Sequence, residues 1–539
     1  MLKKILGSET NFILFLTFLI TVSGLSSLFY NQFRVAPPNT VYTFAHNYVP
    51  DYYQYLSWMK DGADGKILIT SRYSPDNFTR KPAYLFYPLL GWISGKLGLP
   101  LFLGYTIARI FLSLFKLGII FWLISQIFSR SAERKLAFFL ALFLPPFYKL
   151  FPFQMLRRDI TSLDILQRTF FLPHNLATTI FILAGSICIN IYIGASNKKA
   201  RVSKFLILAS IFFFLASVTN PAMLAIFYLF LGVALLITFL QKPSRKLITG
   251  SLVAFSPGFL AIIFYQHLFS HFLPFSWLFN QQKNVILMTN LKDYFLNCGP
   301  VIFFFPFAVL PFLKIKKFLA NFVLSWGIIP FLIFPLLGKV LPFSQERFFE
   351  ISHFIPLAIL ASAGFYSLTN LIKKEKMKIV TQRGLVAVLV IFVLPYLWFS
   401  LRSQIDLFAK PYYFNIFIPK STLEAFSWLD KNTPDESVVA AGFYTSNMLP
   451  TFSHNKVVFG HEFVTYKAPE RKADTETILG QDTPPPQILE LLRKNQIRYL
   501  LVNLERPLSS TNLSALPNLK LVYNHEENKI FRFEESKIR

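Results

Sequence analysis

About eleven stretches of this chain are apolar for long enough to approach or span the hydrocarbon core of a bilayer at the rise of an α-helix. They lie near 11–30, 101–128, 136–151, 171–194, 205–219, 221–241, 247–266, 300–313, 318–338, 355–372 and 384–400. Composition agrees: 53% of the residues are hydrophobic, 63 are Phe and only 15% are charged, where soluble domains are about one-quarter charged. The first run follows Lys3 and Lys4 like a signal peptide. It is longer than a signal core and lacks a small-residue cleavage site, so it reads as a retained anchor. The fold class expected is therefore an α-helical polytopic membrane protein.

The formal charge of +26 would suggest nucleic acid if one soluble domain carried it. Instead, residues 1–400 hold 37 Lys and Arg against 12 acids, while 401–539 hold 17 against 16. The basic excess belongs to the membrane part, and no nucleic-acid partner is expected. With the N-terminus in the cytoplasm, the inner segments (the N-terminus, 129–135, 195–204, 242–246, 314–317 and 373–383) carry 20 basic residues and three acids. Short loops are where the positive-inside bias acts, so this orientation is preferred. Eleven spans then place the C-terminus outside, with all eight histidines and 25 of the 28 acids on that face. Chemistry is expected on the extracytoplasmic side of a cell membrane.

Two regions are predicted: a transmembrane domain over 1–400 with a long first outer loop (31–100), and a small extracytoplasmic α/β domain over 401–539. In the tail, 420–431 and 488–495 read as helices, and 437–443, 457–460, 499–502, 519–523 and 529–533 as strands. Residues 84–100, with Tyr84, Phe86, Tyr87 and Trp92, read as an amphipathic helix at the interface. Cys188 and Cys298 have no metal or redox spacing and read as buried thiols.

Three outer acidic patches could carry chemistry. Asp51 opens an aromatic segment (Tyr52, Tyr53, Tyr55, Trp58), where a carboxylate can act as general base or bind a metal and aromatic faces suit sugars. The plainer alternative is a solvated loop with tyrosines at the interface. Asp159 and Asp164 sit among Arg157, Arg158 and Arg168, just before Pro173-His174, and mutual ion pairing explains them equally well. Glu346, Arg347, Glu350 and His353 precede the tenth run, where the arginine fork suits a lipid phosphate or simply snorkels. Arg109 and Lys116 share one face of the second span, and ionisable groups inside a span default to function. His267 and His271 are spaced for a metal but lack a third ligand.

The layout resembles the GT-C superfamily of polytopic glycosyltransferases, which use polyprenyl-phosphate-linked sugars. The resemblance rests on Asp51-x-x-x-Tyr55-Leu56, Gly62, Gly65, Tyr73-Ser74-Pro75-Asp76, Ala108-Arg109, Pro173-His174, Glu346-Arg347 before Pro356-Leu357-Ala358, Trp428-Leu429-Asp430, and Gly460-His461 with Lys467. These short motifs are similar to those of uncharacterised bacterial members. The resemblance implies inverting transfer from a polyprenyl-phosphate-linked sugar donor to a lipid, glycan or protein acceptor. Asp51 would be the base, and Arg347, with Arg109 or Lys116, would neutralise the departing phosphate. Asp159 or Asp164 would hold acceptor or metal, and Tyr55, His174, Glu346 and His461 would bind substrate. No Asp-x-Asp occurs in the first loop, so a divalent cation (Mg or Mn on Asp51, Asp159 and Asp164) is expected only as an option. The competing classes are a lipid-linked glycan ligase or polymerase and a transporter or flippase. A transporter should show internal repeats and midplane charges, which the sequence lacks.

Overall fold

A computed structural model describes residues 8–46, 48–149, 154–155, 165–195, 199–284, 291–333, 352–408, 414–513 and 516–534. It divides into two compact units that do not follow chain order: Met1–Ser27, Ala108–Gln266 and Val285–Gln404 form the first, and Leu28–Ile107, His267–Asn284 and Ile405–Arg539 the second. The long first loop thus packs in one unit with the tail, although sequence order groups it with the spans.

The first unit is helical and apolar. Among the described residues, six helices are long and apolar enough to cross a membrane: Glu9–Val35, Leu101–Ile127, Pro173–Gly194, Pro221–Gln241, Arg245–His271 and Glu375–Asp406. The pair Leu291–Phe304 and Pro306–Ile315, bent by 67°, makes a seventh if it is one span. Ser203–Thr219, Phe318–Ile333 and Phe354–Thr369 are apolar but shorter. The chain is a multi-pass membrane protein, and among the described residues six or seven spans meet the length required. The run at 136–151 falls short because its helix, Ser131–Phe143, stops before Pro145 and Pro146, which cannot donate to a helical ladder. Leu252, Leu260 and Ile391 are exposed on their spans, as lipid-facing side chains are.

The second unit is α/β. Strand β1 (Thr40–Tyr42) pairs antiparallel with β2 (Phe417–Pro419), joining the first loop to the start of the tail within this unit. Helix α1 (Val49–Ala63) packs on α2 (Phe86–Lys96), and α3 (Lys420–Asn432), α4 (Phe443–Phe452), α5 (Ala468–Ile478) and α6 (Pro485–Lys494) surround a five-stranded sheet. Its strands are β3 (Val438–Ala440), β4 (Lys456–Val457), β5 (Ile497–Val502), β6 (Leu519–His525) and β7 (Asn528–Phe533), in the order β4-β3-β5-β7-β6. β4, β3 and β5 are parallel; β7 runs antiparallel to both β5 and β6. The predicted strand at 437–443 ends at Ala440, and α4 begins three residues later. That at 457–460 is only Lys456–Val457. Helices α4 and α5 were not foreseen.

Residues 49–63 form a helix rather than a solvated loop. Tyr48 is extended at the N-cap, Pro50 is pre-set for the first turn, and Asp51 follows where the helix dipole suits an acid. Tyr52, Tyr53, Leu56, Trp58 and Met59 are all buried. The two helices touch through glycine: a Cβ on Gly62 would lie 1.8 Å from the Pro88 carbonyl oxygen, and one on Gly91 1.9 Å from that of Met59.

Candidate active site

Asp51 lies in the first turn of α1 with its side chain 35% exposed. His461, from the loop after β4, is buried, and its Nε2 lies 2.9 Å from Asp51 Oδ1. The backbone N–H of Phe463 donates to His461 Nδ1 at 3.1 Å. In the neutral imidazole the ring proton therefore sits on Nε2 and is donated to the carboxylate, a tautomer assigned from the network. One carboxylate oxygen is thus held by a buried donor. Oδ2 is left to whatever approaches the exposed side.

The surroundings fix this pair. Asn447 Nδ2 donates to the carbonyls of Pro50 (3.3 Å) and Gly460 (2.9 Å), the residues preceding Asp51 and His461. Tyr73 donates its hydroxyl to the Asn447 carbonyl at 3.0 Å, and Thr451 donates to the Tyr53 carbonyl at 3.1 Å. Gly460 is needed here because a Cβ would lie 2.6 Å from the Ser446 carbonyl oxygen. Burial pushes the Tyr53 and Tyr73 phenols well above their ordinary range, so both stay neutral donors. Tyr48, beside the site, is pushed up first by burial and then by the carboxylates of Glu462 and Asp51, and its hydroxyl bonds to Glu462. The loop 71–77 is anchored by buried Arg72, which donates to the carbonyls of Ser57 (2.6 Å) and Ser453 (2.7 Å).

A second polar cluster lies in the first unit. Arg109, Ser113 and Lys116, at i, i+4 and i+7 on Leu101–Ile127, donate to three consecutive carbonyls at the end of the short helix Ile165–Thr169. Arg109 Nε reaches Phe170 O at 2.6 Å, Ser113 Oγ reaches Thr169 O, and Lys116 Nζ reaches Arg168 O at 3.1 Å. Helix ends leave such carbonyls without intrahelical donors, so these side chains cap one inside an apolar unit. Lys116 also donates to Ser352 Oγ at 2.9 Å, and both Lys116 and Arg168 lie 5.2 Å from the Phe354 ring centroid.

The sequence-predicted residues thus fall into two groups. Asp51, Tyr55 and His461 belong to the second unit; Arg109, Lys116 and His174 to the first. Tyr55 stacks on Tyr87 with centroids 4.5 Å apart, and His174 is the second residue of Pro173–Gly194. Asp159, Asp164, Glu346, Arg347 and Glu350 lie outside the described residues. Among the described residues, no three His, Cys, Asp or Glu side chains gather as a metal site. Asp159 and Asp164, expected to join Asp51 on a metal, lie outside the described residues. Asn447 and Ser113 carry no spacing signal, each being a single polar residue in an apolar context.

No family model matches the chain, and no curated relative does. Solved structures do share its fold. Oligosaccharyltransferase AglB from Archaeoglobus fulgidus, in complex with an inhibitory peptide and a dolichol-phosphate, aligns at 12% identity and TM-score 0.55 over 92% of this chain and 69% of its own. ArnT from Cupriavidus metallidurans, bound to undecaprenyl phosphate, aligns at 13% and 0.52 over 97% and 98%. Arabinofuranosyltransferase AftD from mycobacteria aligns at 13% and 0.57 over 96% of this chain and 40% of its own. These neighbours are GT-C glycosyltransferases, and the chain has their fold.

Proposed function

We propose that this protein is a membrane glycosyltransferase moving a sugar from a polyprenyl-phosphate-linked donor to a hydroxyl of a lipid, glycan or protein acceptor, with inversion, on the extracytoplasmic face. The observation that carries this reading is the oriented carboxylate of Asp51, half-exposed on one side and held by buried His461 on the other. A base must be aimed before the acceptor arrives, and the His461 contact supports that role for Asp51. The acceptor O–H proton passes to Asp51 Oδ2 as the oxygen bonds to the sugar's anomeric carbon. The bond from that carbon to the lipid phosphate oxygen breaks, and its electron pair leaves on the phosphate. Fixed cations lower the barrier where that charge develops. We assign this role to Arg347, with Arg109 and Lys116 supporting it, and place Asp159 or Asp164 with Glu346, His174 and Tyr55 on acceptor or donor sugar. The dolichol-phosphate on AglB and the undecaprenyl phosphate on ArnT support a lipid-linked donor.

Two outcomes follow. The N-terminus is cytoplasmic and 401–539 extracytoplasmic, so a cysteine introduced at Ser510, with Cys188 and Cys298 replaced, is labelled by an impermeant maleimide in intact cells. Labelling only after lysis would reverse the orientation. His461→Ala lowers kcat about 10–100-fold with little change in KM, because it frees the base from its productive rotamer. His461→Gln, which keeps an N–H donor, recovers part of the loss in the same turnover assay, whereas a histidine contacting substrate would show itself in KM.

A further inference from the structure

The parallel part of the tail sheet has a crevice that the proposed chemistry does not yet use. Strands β4, β3 and β5 point the same way, and the chain leaves β3 toward β4 but leaves β5 toward β6, beyond β7 on the opposite side. Between neighbouring parallel strands whose connections diverge, the carboxyl ends leave a gap, and open α/β sheets bind ligands there. In this protein the gap is a cavity of about 280 Å³. Its walls come from the loops that follow all three strands, Gly442–Tyr444, Phe459 with Glu462, and Glu505 with Arg506, and from Lys472 and Glu476 of α5. That volume suits a single ring rather than a drug-sized molecule.

The chemistry of the walls narrows the ligand. The N-terminus of α4 opens into the crevice, a position that commonly takes a phosphate. Here it is already filled: the N–H groups of Tyr444 and Thr445 donate to the Glu505 carboxylate at 2.9 and 2.8 Å, and the Thr445 hydroxyl at 2.7 Å. Gly442 makes room for that carboxylate, since a Cβ there would lie 2.4 Å from it. With Glu462 and Glu476 also lining the crevice, the carboxylates outnumber Lys472 and Arg506, and a neutral ligand is favoured over an anion. The remaining surfaces are acceptor-only carboxylates beside aromatic faces. Phe443 and Phe459 pack with centroids 5.4 Å apart, and Tyr444 is 44% exposed. Lys472 and Arg506 add donors. A ligand that offers many hydroxyl protons, apolar C–H faces and no negative charge matches this set: a neutral sugar ring.

The crevice also adjoins the base. Glu462 follows His461 directly and accepts a hydrogen bond from Tyr48, the N-cap of the helix that carries Asp51. We propose that this crevice is the acceptor subsite and that it binds a neutral pyranose or furanose ring through Glu476, Glu462 and the Tyr444 ring. Its role as acceptor subsite rests on the transfer reading above; the binding itself does not.

The test is saturation-transfer NMR on the full chain in nanodiscs, with methyl glycosides of glucose, galactose, mannose and arabinose as probes and methyl glucuronide as the anionic comparison. At least one neutral glycoside should show transfer. Its affinity should fall about tenfold in Glu476→Gln and in Tyr444→Ala, the loss expected for one charge-assisted hydrogen bond or one stacking face. The glucuronide should show none, and Asp51→Asn should bind like wild type. No transfer from any neutral glycoside, equal transfer from the glucuronide, or unchanged affinity in both variants would overturn the assignment. Should Asp51→Asn retain full turnover while the binding results hold, the transfer reading fails and the sugar site stands.

Discussion

Asp51→Asn is expected to cost about 10²–10⁴ in turnover while the protein stays folded and inserted, because removing a general base typically has that effect. The amide nearly matches the carboxylate in shape and can still accept the His461 Nε2–H through its oxygen, so the helix start and the Asn447 bridges should survive. What is lost is a place for the acceptor proton. The loss should fall on kcat and on kcat/KM alike, since the proton moves only in the transition state. Thermal midpoint and detergent gel-filtration profile check the folding, and steady-state transfer checks the chemistry.

The second large effect is on packing. Gly91→Ala should destabilise the second unit by about 3 kcal/mol, the upper end of what an overpacked contact costs. The new methyl would meet the Met59 carbonyl oxygen at 1.9 Å, a backbone atom in the middle of α1 that no rotamer change can move aside. The helices must part, and α1 carries Asp51, so turnover should fall with stability. Gly232→Ala is the control. It too sits in a helix, but nothing lies within 4 Å of its Cβ position, and it should be neutral or slightly stabilising. The comparison is read as a shift in thermal midpoint of the purified full chain. Equal midpoints for the two variants would show that the close approach of α1 and α2 does not matter.

The parts of this molecule that were legible in its sequence are those set by local pattern. Apolar runs gave a polytopic membrane protein, and alternation around Glu526 and Glu527 gave the hairpin of β6 and β7. The fold shared with the GT-C structures agrees with the layout expected from the long first loop and the order of apolar runs. Span length was not, because Pro145 and Pro146 end a run whose hydropathy continues. Helix α1 was read as a loop because its polar and glycine positions obscure a helical face that only packing against α2 reveals. The partnership of Asp51 with His461 joins residues 410 apart, and no spacing rule encodes it. His461 is buried, and its bond from Phe463 points its other ring nitrogen at Asp51. Arg109 and Lys116 were correctly placed on one helix face, but their shared target, the carbonyls of 168–170, required the fold.

The proposed reaction is a single inverting displacement at a lipid-linked sugar. It is tested most directly by purifying the protein into proteoliposomes, supplying a polyprenyl-phosphate sugar labelled at the anomeric carbon, and following that carbon by NMR as acceptors are added. The label should leave the lipid for a hydroxyl acceptor with opposite anomeric configuration, with polyprenyl phosphate released in equal amount, in wild type but not in Asp51→Asn. Transfer with retained configuration, or turnover undiminished in Asp51→Asn, would contradict it.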